Sequence, residues 1–215
     1  MSEDIERKML KLMEKYKVND LNVDEASVIF VLESPHIEEI REGYPLAGSS
    51  GRAMTRVLFP SKKDFRYKCE CKNQTYFQSL GKLIKDETIT KIGIMNISQI
   101  PLQTAAYDCE DINVNCDLLK LFELIRKNTN KRTKKTSEIN DILLKIMGNF
   151  KDRIQPHIKS DGKTIVLCGK FARTIFASTA LDNRNIFKMD IPHPSFCHWD
   201  EMSEEQKNKL RKLVK

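Results

Sequence analysis

The chain lacks any apolar run long enough to cross a bilayer. Its longest, Val28 to Leu32 and Thr164 to Cys168, fall far short of the roughly 20 residues that a membrane helix needs, so no membrane partner is expected. It also lacks a charged-then-apolar leader at its start. Neither secretion nor a disulfide scaffold is indicated, and the six cysteines are expected to be reduced thiols in a cytoplasmic protein. No repeat of solenoid length and no low-complexity tract is present, which excludes stacked-repeat architectures. At 215 residues, 40% of them hydrophobic, the chain has enough apolar surface for one sizeable core and too little for two. A single domain spanning 1–215 is expected. Lys and Arg outnumber Asp and Glu by 37 to 30, a balance that favours a polyanionic partner without requiring one. The plain alternative is a lysine-rich surface that only keeps the chain in solution.

What is present alternates between two periodicities. Ile5, Met9, Leu12, Met13 and Tyr16 recur at helical spacing. Four short β-type runs follow at wide intervals, at 28–32, 92–96, 164–168 and 186–191, with helical patterns at 51–58, 75–85, 116–127, 139–150 and 171–178 between them. The last segment, 203–214, opens with a Ser-x-x-Gln capping box. This alternation predicts an α/β fold, a three-layer α/β/α arrangement around a central, mainly parallel four-stranded sheet. Between residues 128 and 137, Lys131, Arg132, Lys134 and Lys135 lie among Thr and Asn without an apolar anchor, which reads as a basic surface loop.

In doubly wound sheets ligands bind beyond the carboxyl ends of the strands, where loops and helix N-termini converge. Three polar residues fall at such ends. Glu33 follows the first run, Asn96 closes the second, and His193 follows the last in His193-Pro194-Ser195-Phe196. A fourth segment, Pro45-Leu46-Ala47-Gly48-Ser49-Ser50-Gly51-Arg52, sets two glycines and two serines where a helix begins, a geometry that exposes backbone N–H groups to an anion. Plainer roles exist for each: a helix cap or lysine pair for Glu33, a backbone-satisfying turn for Asn96, an ordinary helix start for Gly48 to Gly51. Cys69, Cys71, Cys109 and Cys116 would supply enough thiolates for zinc or an iron–sulfur cluster, but their spacing fits no common pattern. No metal and no cofactor is expected.

On these residues the chain resembles the uracil-DNA glycosylase superfamily, in particular the branch with a Glu-x-Pro first motif. Glu33-Ser34-Pro35, Gly43-x-Pro45-Leu46-x-Gly48-x-x-Gly51, the Asn96 strand followed by Pro101, the Val166-Leu167-Cys168-Gly169 step and His193-Pro194-Ser195 stand in family order over 28–199. The resemblance implies a monomeric DNA base-excision enzyme that extrudes its nucleotide and hydrolyses the N-glycosidic bond of uracil or a related damaged base. Glu33 would orient or deprotonate the attacking water and stabilise the oxocarbenium-like sugar. His193 would donate a hydrogen bond to the base oxygen, a contribution of about 3 kcal/mol to the barrier. Asn96 would read the Watson–Crick edge. Ser34, Pro35, His36, Leu46, Gly48, Gly51, Pro194 and Ser195 would bound the substrate pocket. Phe196, with Trp199 as second choice, would wedge into the vacated stack.

The chain also departs from the family pattern. Leu46 stands where the base-stacking aromatic is expected, Ser34 where other branches keep Asp or Asn, and His36 where Tyr or Gly borders the C5 face of the base. No cysteine precedes Cys69, and only Cys116 resembles an iron–sulfur ligand. Two further classes therefore stay open: a nucleic-acid-binding module that keeps the fold without catalysis, and a hydrolase of free nucleosides or nucleotides.

Overall fold

The computed structural model describes residues 3–69, 74–128, 137–159, 161–182, 184–187 and 189–215. The first half runs α1 (Glu3–Tyr16), β1 (Val28–Leu32), α2 (Ile37–Glu42), α3 (Ser49–Leu58), β2 (Arg66–Cys69), β3 (Gln74–Phe77), α4 (Leu80–Lys85) and β4 (Ile92–Asn96). The second runs α5 (Cys109–Val114), α6 (Cys116–Asn128), α7 (Ser137–Lys159), β5 (Thr164–Leu167), α8 (Gly169–Ser178) and α9 (Glu204–Leu213).

All five residues of β1 are buried. Such an unbroken apolar run is what a strand covered on both faces requires. It sits at the centre of a parallel sheet of order β4-β1-β5, in register Leu32 with Asn96 and Val31 with Leu167. Successive side chains point to opposite faces, and the core divides accordingly. Ile29, Val31, Met95, Ile165 and Leu167 pack with the buried sides of α1, α6, α7 and α8. Val28, Phe30, Leu32, Ile94 and Val166 pack with α3, α4 and α9. Helices therefore cover the sheet on both sides.

Among the described residues the parallel sheet has three strands where four were expected. The 186–191 run does lie parallel beside β5, but only through two isolated bridges, Ile165 to Ile186 and Cys168 to Ile191. Within the run, Met189 N–H bonds to Phe187 C=O at 2.9 Å. The expected helix at 75–85 also divides. Thr75, Tyr76 and Phe77 belong to β3, paired antiparallel with β2. Only after Ser79, whose hydroxyl caps the backbone N–H of Lys82, does α4 begin. The 139–150 helix is longer than its pattern, continuing to Lys159 with Pro156 inside it. The capping box of Ser203 and Gln206 opens α9 as expected. Lys131, Arg132, Lys134 and Lys135 lie outside the described residues. Among the described residues no helix is long and apolar enough to cross a membrane.

Candidate active site

Parallel pairing brings the strand ends to one edge. Beyond β1 and β4 the chains stay in contact, with Ile97 N–H bonded to Leu32 C=O and Ser98 N–H to Glu33 C=O, each at 3.0 Å. At the end of β5, Gly169 N–H bonds to Ile191 C=O at 2.8 Å, which fixes the chain two residues before His193. Glu33, Asn96 and His193 consequently line one cleft of about 710 Å³. Ser34, His36, Leu46, Pro194, Ser195 and Phe196 line it too. Pro35, Gly48 and Gly51 do not reach the wall. Pro35 and Gly51 are buried behind it, and Gly48 caps α3 with the Glu38 carboxylate lying against it.

Glu33 is ion-paired. Arg126, from the last turn of α6, donates from Nε to Glu33 Oε1 at 2.6 Å. Burial pushes the Glu33 carboxyl above its usual range, while the guanidinium acts in the opposite direction. His193 is held by its own turn: Ser195 N–H donates to Nδ1 at 3.3 Å and the Ser195 hydroxyl lies 2.9 Å from the same atom. An Nδ1 that accepts from an amide carries no proton, so the neutral ring bears its hydrogen on Nε2. Burial, followed by the charges of Arg126 and His198, pushes the imidazole down to about 4, so the ring is neutral at ordinary pH. Gly169 makes room for it. Its φ is +88°, and a Cβ there would stand 2.9 Å from His193 Cβ.

Asn96 is 2% exposed, and its Oδ1 is buried without a hydrogen-bond partner among the described residues. An acceptor stranded in this way costs about 1–3 kcal/mol, and the residue that carries it lines the cleft. The backbone around Asn96 is fixed from behind: Arg153 donates to the carbonyls of Asn96 and Ile97 at 2.8 and 2.9 Å and pairs with Asp20 at 2.7 Å.

Leu46 forms an apolar wall, 2% exposed and with a left-handed φ of +55°. Glu39 holds it in place by accepting from the backbone N–H groups of Leu46 and His36. Gly51 lets the Leu46 carbonyl pass where any side chain would collide. On the opposite rim Phe196 is 84% exposed at a φ of +53°. Trp199 is fully buried against Phe30 and donates its indole N–H to Pro192, so it is core and cannot act as a wedge.

Comparison with known proteins adds nothing to this geometry: no family model matches the chain, and no curated protein does. The site's chemistry is therefore read from its own groups, a buried carboxylate with a guanidinium, a neutral imidazole donor and an unpartnered amide acceptor around one apolar-walled cleft.

Several residues of the cleft escaped the sequence reading. Arg126 stands near the end of a helical pattern and Glu39 in a stretch given no element, and nothing local marks either as inward-facing. Tyr76 and Phe77 also line the cleft. Their alternation in β3 was masked by the apolar helix that follows. Cys109 and Cys116 are exposed free thiols; Cys71 lies outside the described residues. Among the described residues no group of His, Cys, Asp and Glu side chains is placed to hold a metal ion.

Proposed function

We propose that the protein is a DNA base-excision glycosylase of uracil-DNA glycosylase type, hydrolysing the N-glycosidic bond of uracil or a related damaged base. The observation that carries this reading is the convergence of Glu33, Asn96 and His193 on one cleft, with the Asn96 acceptor unpartnered. A pyrimidine ring offers what these groups lack, an N–H for Asn96 Oδ1 and a carbonyl oxygen for His193 Nε2–H. As the glycosidic bond breaks, negative charge collects on that oxygen. A neutral, preorganised donor stabilises it without the cost of deprotonating a cation. The Glu33 carboxylate lies at the same edge to orient water and to face the positive charge that develops on the sugar. Phe196, exposed on the rim in a conformation disfavoured for a bulky residue, supplies the wedge for the vacated stack. The net charge of +7 suits a DNA partner, and the protein acts as a monomer in this reading.

The test is base release. Uracil-containing single- and double-stranded oligonucleotides are incubated with the protein, and abasic sites are then cleaved with alkali. Strand breaks that disappear in Glu33→Ala and in His193→Ala are the expected result; full activity in both variants rejects the assigned roles.

Two observations favour a second reading. Arg126 occupies an oxygen of Glu33, and the Leu46 wall has no ring face, as suits a nucleic-acid-binding module without catalysis. That module binds DNA and releases no base from deaminated or alkylated substrates.

A further inference from the structure

The β2–β3 hairpin stands at the cleft with most of its surface in water. Its base is anchored: Phe65 is buried edge-to-face with Phe59 at 5.3 Å, and Gln78 N–H bonds to Phe65 C=O at 2.8 Å. Register pairs Tyr67 with Tyr76 across the two strands, and directly opposed residues share a face. Their ring centroids lie 5.9 Å apart with planes inclined by 31°, and Tyr67 is 44% exposed. Because Tyr76 also lines the cleft, aromatic surface runs from the cleft wall out to the far strand. Cations flank it along the chain, with Arg66 and Lys68 on the other face of the strand from Tyr67 and the Arg66 guanidinium over the Phe77 ring. Lys62, Lys63, Arg66 and Lys68 are all exposed, with Asp64 the sole acid between residues 62 and 68. Among the described residues none of the four is in an ion pair.

We propose that this hairpin is a stacking platform for unpaired nucleotides, so that the partner of the cleft is a single-stranded polynucleotide. This rests on the reading of the cleft as a nucleic-acid site and narrows it. Accessible rings beside positive charge are how proteins hold single strands, since every base has a π-face and each stacked base adds affinity whatever its identity, while nearby cations attract the backbone. A duplex keeps its bases stacked on one another and offers the tyrosines nothing. Once a nucleotide enters the cleft, its neighbour along the strand lies within reach of Tyr76, and the next of Tyr67.

Fluorescence anisotropy of the full chain with a short labelled oligothymidine, and with the same sequence as a duplex, tests the platform without requiring catalysis. Tyr67→Leu is expected to weaken single-strand binding about tenfold, within the range for loss of one base–aromatic stack, while leaving duplex binding nearly unchanged. Tyr67→Phe keeps the ring and should keep the affinity. Wild-type single-strand affinity in Tyr67→Leu, or equal losses for strand and duplex, overturns the proposal. Should Tyr67→Leu fail to fold, Lys68→Glu takes its place: weaker single-strand binding with a shallower salt dependence supports the platform, and no change overturns it. The two readings fail separately. Tyr67-dependent binding without base release removes the glycosylase and leaves the platform; base release with Tyr67-independent binding does the reverse.

Discussion

Arg126 Nε lies 2.6 Å from Glu33 Oε1, so the carboxylate at the end of the central strand is clamped by a guanidinium from α6. Both side chains are largely shielded, at 29% and 17% exposure. The pair decides how Glu33 titrates. Burial raises its pKa and Arg126 lowers it, so the guanidinium keeps the group ionised further into acid than burial alone would permit.

If the cleft is a glycosylase site, replacing Arg126 with Gln is expected to move the acid limb of base release to higher pH. Without the positive charge the Glu33 pKa rises further, and a base that must be ionised then needs a more alkaline medium. Base release measured under single-turnover conditions from acid to neutral pH checks this. An unmoved acid limb would mean that Arg126 does not control the titration of Glu33.

Gly169→Ala should damage the site through His193. The substitution puts a Cβ 2.9 Å from that of His193 and places a side chain at a φ of +88°, so a loss of about 1–3 kcal/mol of stability is expected. The imidazole must also shift, which breaks its alignment with Ser195. The thermal midpoint should fall, and the rate of base release should fall by more than the lost folded fraction explains. A rate that merely follows the folded fraction would show that His193 tolerates the displacement.

Glu39 links the pocket wall to pH. Burial pushes its carboxyl up to about 7, against the pull of the Leu46 and His36 amides. Between the ordinary value of 4.5 and about 7, the folded chain holds a proton that the unfolded chain has already released. This contribution to stability is therefore complete below the ordinary value and is lost as pH rises through about 7. Glu39→Gln should remove that slope. Its amide oxygen serves one backbone donor and its NH2 group faces the other, so a cost of about 1–3 kcal/mol accompanies the change. Thermal unfolding of both proteins at about pH 5 and about pH 8 reads both effects; parallel pH dependence in the two would remove Glu39 as the titrating group.

The strand ends were legible because a buried parallel strand leaves an unmistakable trace. Val28 to Leu32 is apolar at every position, and the first polar residue after it, Glu33, has to emerge at the edge. The same logic located Asn96 and His193. For 186–191 it located the run beside β5 but not how it pairs, since apolar content does not distinguish isolated bridges from a continuous ladder. Arg126 was invisible for another reason. Its position in the last turn of a helix looks like ordinary pairing with the helix dipole, and only packing of α6 against the strand ends turns it inward. Tyr76 and Phe77 were lost to a boundary, where two β-forming aromatics run almost directly into a helix cap.

Asn96 gives the sharpest separation of function from stability. Its side-chain oxygen is buried and accepts nothing among the described residues, and the residue lines the cleft. Removing an unsatisfied buried acceptor and filling its space with carbon is neutral or stabilising, whereas removing one member of a satisfied pair is not. Asn96→Leu, which keeps the branched shape in a larger and wholly apolar side chain, is therefore expected to cost less stability than Asn96→Asp while lowering base release at least tenfold, because the base N–H loses its acceptor. Asn96→Asp keeps the oxygen, loses the amide donor and buries a charge, so it should destabilise the fold. A drop in stability for Asn96→Leu comparable to that for Asn96→Asp would mean that the Asn96 amide is satisfied within the protein, and its role as a reader of substrate would fall with it.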